Sequence, residues 1–119
     1  MLLWFVLAAV GVAGVVMWLK SSKSLPVPEA RSYLANGAWL IDVRSPAEFS
    51  SFHLPNAKNL PLDQLEMLVP DAVKDKNQVL LLHCQSGMRS RVAQRKLQQM
   101  GYAHAFNVGS YAQASQVVN

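Results

Sequence analysis

The sequence predicts an α/β domain, a mainly parallel sheet with helices on both faces, preceded by one transmembrane helix. Three observations carry that prediction. Mostly apolar runs at 38–43, 79–82 and 105–108 alternate with segments of helical period, the order that builds a parallel sheet covered on both sides. The run Val79-Leu80-Leu81-Leu82 has no polar position, as a central strand buried on both faces requires. Ahead of these runs, Leu2 to Leu19 carries no charged side chain.

That first segment justifies the membrane helix. At ~1.5 Å per residue, residues 2–19 reach ~27 Å, close to the ~30 Å of a hydrocarbon core. Trp4 and Trp18 lie near its ends, as interfacial aromatics do. A cleaved signal peptide needs a basic start and a small-x-small cleavage site. Here only the Met1 amine precedes the run, and Trp18-Leu19-Lys20-Ser21-Ser22-Lys23 follows it. The reading is an uncleaved anchor over 1–19 and a polar linker over 20–25. Lys20 and Lys23 just after the span put the rest of the chain on the cytoplasmic side of an inner or plasma membrane. An export signal would make it periplasmic instead.

The remaining elements follow in order. Glu29 to Ala35 after Pro28 reads as a short helix, ended by Asn36-Gly37. Ala38 to Val43 reads as a buried strand. Ser45 caps a short helix through Glu48 and Phe49, with Pro46 at its first position. Ala57 to Leu60 is a short strand. Asp63 is expected to cap a helix running to about Val69, before Pro70. Asp75-Lys76-Asn77 is a turn. Ser90 to Met100 reads as a helix with Val92, Ala93, Leu97 and Met100 on one face, and Gly101 stops it. Ala105 to Val108 is a last strand and Tyr111 to Val117 a last helix. The chain of 119 residues suffices for one domain.

Chemistry concentrates at Cys84, the only cysteine. It sits where the apolar strand ends and a helix begins, the place where α/β sheets bind small ligands. Backbone N–H groups near a helix start lack intrahelical partners, and the helix dipole adds positive potential. Such a loop wraps an anion. Gly87 permits a tight conformation, and Arg89 adds a fixed cation. A thiol in that field is expected to ionise readily and to be nucleophilic. The competing reading is an inert buried thiol.

Cys84-Gln85-Ser86-Gly87-Met88-Arg89 resembles the active-site loop of the rhodanese family of sulfurtransferases, a Cys, four residues, then Arg. Ile41-Asp42-Val43-Arg44-Ser45-Pro46-Ala47-Glu48-Phe49 is similar to the family's early Asp-Val-Arg…Glu-Phe segment. His53-Leu54-Pro55-Asn56-Ala57-Lys58-Asn59-Leu60-Pro61 is similar to its His-Ile-Pro-Gly-Ala…Asn-Ile-Pro segment. The family usually carries a Gly-Gly pair and a downstream Trp near its end; here Val108-Gly109-Ser110-Tyr111 stands in that place and no Trp follows. The resemblance implies a rhodanese-like domain over 26–119. It implies Cys84 and Arg89 as catalytic residues and Gln85, Ser86, Gly87 and Met88 as the loop that binds substrate and persulfide. It implies a small anionic sulfur donor such as thiosulfate, a thiol or cyanide acceptor, and no cofactor. Asp42, Arg44 and Glu48 are read as an ion-pair network that supports the loop.

Two other function classes stay open. A non-catalytic, membrane-tethered binding or sensing module needs neither Cys84 nor Arg89, so the presence of both favours an enzyme. Cys-dependent phosphatases and arsenate reductases of related fold place five residues between Cys and Arg. Here the gap is four, or six to Arg91, and the shorter loop suits one sulfur atom better than a tetrahedral phosphate. His53 is expected to make structural hydrogen bonds. His83 should point away from Cys84, since strand side chains alternate. His104 is expected in solvent. Three scattered histidines and one cysteine show no metal-ligand spacing. The net charge of +4 comes without a Lys/Arg block, so no nucleic-acid partner is expected.

Overall fold

The structure is a computed structural model, and it describes residues 24–119. The expected anchor over 1–19 and the linker up to residue 23 lie outside the described residues. Among the described residues no helix is long and apolar enough to cross a membrane. The elements run α1 (Val27–Ala35), β1 (Trp39–Asp42), α2 (Pro46–Ser51), β2 (Lys58–Asn59), a 3-10 turn (Leu62–Gln64), α3 (Leu65–Ala72), β3 (Leu80–His83), α4 (Met88–Gln99), β4 (Ala105–Gly109) and α5 (Tyr111–Val118).

The strands form one sheet in the order β2-β1-β3-β4, with every pair parallel. Alternation along β1 and β3 builds two cores. Ile41, Val43, Leu80, Leu82 and Cys84 face one side, where α3 and α4 supply Leu65, Val69, Ala93 and Leu97. Leu40 and Leu81 face the other, where α1 and α5 supply Ala30, Ala114 and Val117. The expected α/β class, parallel sheet and two-sided helix cover are all present. The chain is already fastened to the sheet at Leu25, whose N–H donates to Asn107 O at 2.7 Å.

Three expectations need correction. Helix α4 starts at Met88, with Gly87 as its N-cap, not at Ser90. Its buried stripe is Ser90, Ala93, Gln94 and Leu97; Val92 is exposed, while Met100 packs at the edge of the core. Apolarity picked Val92, but the stripe through Ala93 and Leu97 is completed by two polar side chains that find partners inside the domain. Gln94 accepts the Asn107 N–H, and Ser90 faces Cys84. Asp63 caps nothing; it lies inside the 3-10 turn that Pro61 opens. Helix α3 then runs through Pro70 to Ala72. The N–H that Pro70 lacks would have met the carbonyl of Glu66, an exposed residue whose oxygen water can satisfy.

Candidate active site

Strand β3 delivers Cys84 to the carboxyl edge of the sheet, between its two neighbours β1 and β4. The side chain is fully buried. Its Sγ accepts the Gly87 N–H at 3.0 Å and the Ser90 N–H at 3.4 Å, and Ser90 Oγ lies 3.5 Å away. Two amides converge on one sulfur because the chain reverses at Gly87, whose φ of +97° is left-handed. A side chain there would be strained. Burial by itself pushes the thiol pKa up. The Ser90 hydroxyl and the N–H groups of Ser90, Gly87 and Arg89 outweigh it, and the thiol ends below its ordinary value.

The loop is stitched to the end of β4. Cys84 N–H donates to Gly109 O at 3.2 Å, and Tyr111 N–H donates to Gln85 O at 3.2 Å. Ser86 and Ser110 form an antiparallel bridge. Ser90 Oγ reaches the carbonyls of Gly87 and Gly109 at 3.2 and 3.3 Å. Gly109 has φ +100°, and a Cβ there would fall 2.0 Å from Gln113 Oε1. That oxygen accepts the Ser110 N–H at 2.8 Å and closes a capping box on α5.

The expected network of Asp42, Arg44 and Glu48 separates into two pairs. Asp42 and Arg44 are buried together, with Arg44 Nη2 2.9 Å from Asp42 Oδ2. Arg44 also donates to Phe52 O at 2.7 Å and reaches Gln85 Oε1 at 3.5 Å. Its guanidinium lies 4.9 and 5.0 Å from the ring centres of Phe52 and Tyr111. Glu48 does not join this pair. It takes Arg89 in a two-pronged grip, Nη1 to Oε1 at 2.7 Å and Nη2 to Oε2 at 3.0 Å. Arg89 first, and the Ser45 N–H second, hold the Glu48 carboxyl down at about 2. Arg89 is raised in turn, chiefly by Glu48. So the fixed cation expected beside the thiol is matched by a carboxylate, and the sulfur is stabilised by hydrogen bonds instead.

The Rhodanese-like domain family model matches residues 27–115. The chain belongs to the rhodanese family. Over 86 residues it is 36% identical to the thiosulfate sulfurtransferase PspE of Escherichia coli, covering 72% of this chain and 76% of that one. It is 33% identical to the human thiosulfate:glutathione sulfurtransferase, covering 78% and 93%. The solved human single-domain sulfurtransferase TSTD1 superposes with a TM-score of 0.67 at 31% identity, covering 76% and 93%. A rhodanese from E. coli solved with anions gives 0.61 at 34% identity, covering 64% and 89%.

In this rhodanese domain the structure gathers Cys84, Gly87, Arg89 and Glu48 at one end of the sheet. Gln85, Ser86 and Met88 are exposed on the loop. Sequence reasoning missed Ser90, Gly109 and Tyr111. Ser90 had a signal, a serine three residues after a helix-opening glycine and in phase with Ala93 and Leu97. Gly109 and Tyr111 had none near Cys84, because β4 alone brings them there. The histidines fall as expected. His53 is exposed, with Nδ1 2.9 Å from Phe49 O, and His104 is exposed. His83 is buried on the face opposite the Cys84 Sγ, and burial, opposed by Asp42, lowers its pKa. Among the described residues no group of side chains suits a metal ion.

Proposed function

We propose that this rhodanese-family enzyme is a sulfurtransferase that carries sulfur as a persulfide on Cys84. The observation that carries the reading is the buried Sγ met by the Gly87 and Ser90 N–H groups at 3.0 and 3.4 Å. The Cys84 thiolate attacks the outer sulfur of thiosulfate. A bond forms between Sγ and that sulfur, the sulfur–sulfur bond of thiosulfate breaks, and sulfite leaves with the electron pair. The loop amides hold the negative charge throughout, as an oxyanion hole does for oxygen. A thiolate or cyanide then takes the outer sulfur and returns Cys84 as thiolate. Neither half-reaction needs a redox cofactor. Relatives of 33–36% identity named as thiosulfate sulfurtransferases support this donor. Arg89, held by Glu48, flanks the loop and guides the anionic donor, and Asp42 and Arg44 fix the strand end beneath Gln85.

Intact mass after incubation with thiosulfate tests it. Cys84 should gain about one sulfur atom, on the ladder of reversible thiol modification. Cys84→Ser should abolish both the gain and turnover. Undiminished sulfur transfer by that variant sinks the mechanism, and a wild-type protein that binds thiosulfate without taking up sulfur favours the binding module.

We further propose the domain plan of an anchor over 1–19, a linker over 20–25 and a rhodanese-like domain over 26–119, with the domain on the cytoplasmic side. The uncharged run of Leu2 to Leu19 and the lysines at 20 and 23 support it. A membrane-impermeant thiol reagent should leave Cys84 unlabelled in intact cells and label it after permeabilisation. Labelling in intact cells places the domain outside.

A further inference from the structure

We propose that His83 is a positioning residue for sulfur transfer: it turns the Cys84–Gln85 peptide so that the Gln85 N–H is aimed at the outer sulfur of the Cys84 persulfide. This rests on the sulfurtransferase reading above and adds a residue to its machinery. Strand β3 ends at His83, so the 84–85 peptide is the first that the sheet does not hold. The peptides on either side of it are fastened by the backbone. The Cys84 N–H donates to Gly109 O at 3.2 Å, and Gln85 O accepts the Tyr111 N–H at 3.2 Å. Cys84 O has one partner among the described residues, the Nδ1 of His83 at 3.3 Å. The ring therefore sets the tilt of this peptide plane.

A carbonyl oxygen only accepts, so the ring proton sits on Nδ1. Burial, opposed by Asp42, lowers the His83 pKa and keeps the ring neutral at neutral pH. Nε2 then carries a lone pair and has no hydrogen-bond partner. It lies 3.8 Å from Asp42 Oδ2, but that carboxylate is already taken by the backbone N–H, Nε and Nη2 of Arg44. A leucine would bury here without orphaning a nitrogen. What histidine adds is the Nδ1–H. In a planar trans peptide the C=O and the N–H point opposite ways. His83 lies on the face opposite Sγ, so holding Cys84 O toward the ring turns the Gln85 N–H toward the sulfur. That N–H donates to nothing among the described residues. Sγ itself is already met by the N–H groups of Gly87 and Ser90. The atom left for Gln85 is the outer sulfur, ~2 Å beyond Sγ. That atom carries the negative charge once sulfite has left.

The test equilibrates the full chain with fixed thiosulfate and sulfite and reads the ratio of persulfide to free Cys84 by intact mass. The outer sulfur moves between sulfite and Sγ, one sulfur–sulfur bond breaking as the other forms, with no outside oxidant. His83→Leu deletes the donor. His83→Asn keeps an N–H at the Nδ1 position, and His83→Gln moves it to the Nε2 position. The ratio should fall about three- to tenfold in His83→Leu and His83→Gln, the worth of one hydrogen bond. It should stay near wild type in His83→Asn. The pH midpoint of Cys84 alkylation should not move in any of them, because Gly87 and Ser90 hold the thiolate. Loss of stability alone shifts the melt and leaves the ratio in the folded protein unchanged. On sulfur loading of the wild type, the Gln85 amide proton should move downfield in the NMR spectrum, and in His83→Leu it should stay. Equal ratios in all four proteins overturn the assignment. So does a loaded wild type whose Gln85 proton does not move, or a ratio kept by His83→Gln and lost by His83→Asn. A wild-type protein that never loads sulfur overturns the sulfurtransferase reading and this role with it, and that failure is visible before any variant is compared.

Discussion

Removing the Ser90 hydroxyl should make Cys84 less reactive without unfolding the domain. The Oγ lies 3.5 Å from Sγ, 3.2 Å from Gly87 O and 3.3 Å from Gly109 O. One hydroxyl has one proton to share among these three acceptors. A hydrogen bond to a charged group contributes roughly 1.5–3 kcal/mol, so an equal share leaves about 0.5–1 kcal/mol. The thiolate is the only charged acceptor of the three and draws more than an equal share. The expected loss is about 1–1.5 kcal/mol, or about five- to tenfold in alkylation rate near neutral pH. Both carbonyls keep a donor in Ser90→Ala, Gly109 O from Cys84 N–H and Gly87 O from Arg91 N–H, each at 3.2 Å. No buried acceptor is orphaned, so the melting temperature should barely move. The assay is iodoacetamide alkylation of the single cysteine across pH, read by intact mass. The hydrogen bond favours the charged form and holds the wild-type thiol below its ordinary pKa. Losing it moves the midpoint upward, so the rate loss is large below the midpoint and fades above it. An unmoved midpoint, or an equal loss at every pH, refutes the reasoning.

Three further outcomes are expected. Arg89→Ala should lower kcat/KM for thiosulfate about 30-fold or more, as loss of a charged donor at such a site does. Part of that loss comes from the stranded Glu48 carboxylate, so adding Glu48→Gln should recover part of it; a double variant no better than the single removes the pair from the account. Gly109→Ala should lower the urea-measured stability by ~2 kcal/mol, because a left-handed backbone and the Gln113 cap both resist a Cβ; a wild-type melt contradicts this. The Glu48 carboxyl is lowered from 4.5 to about 2, so its pairing contributes stability that is full above about pH 4.5 and is lost as pH falls through about 2. Urea melts at pH 5 and pH 3 should show a smaller drop in Glu48→Gln than in the wild type, and equal drops count against the pair.

Much of the architecture was legible from local pattern. The apolar runs around Leu40, Leu81 and Val108 mark the strands, and Ser45-Pro46 marks a helix start that the structure closes with a capping box to Glu48. That Cys84 lies in a loop between a buried strand and a helix was legible from residue types and spacing. What stayed hidden depends on contacts distant in the chain. Glu48 precedes Arg89 by forty-one positions, and local spacing placed it with Arg44 instead. The α4 stripe misled because Ser90 and Gln94 are polar yet buried, each satisfied by a partner across the fold. Asp63 looked like a cap because an acidic residue before a helical stretch normally is one; Pro61 had already set the turn.

The stitching of the Cys84 loop to Gly109, Ser110 and Tyr111 has a consequence for how the enzyme fails. Loops are usually the first parts of a domain to open, at little free-energy cost. This one is held by backbone hydrogen bonds to the end of β4 and the start of α5, so it cannot peel away alone. Its amides should exchange with solvent in one cooperative unit with those of β4. Heating should therefore produce no long-lived species that keeps its sheet and has lost its reactive geometry. The protein should stay fully active until the sheet itself gives way.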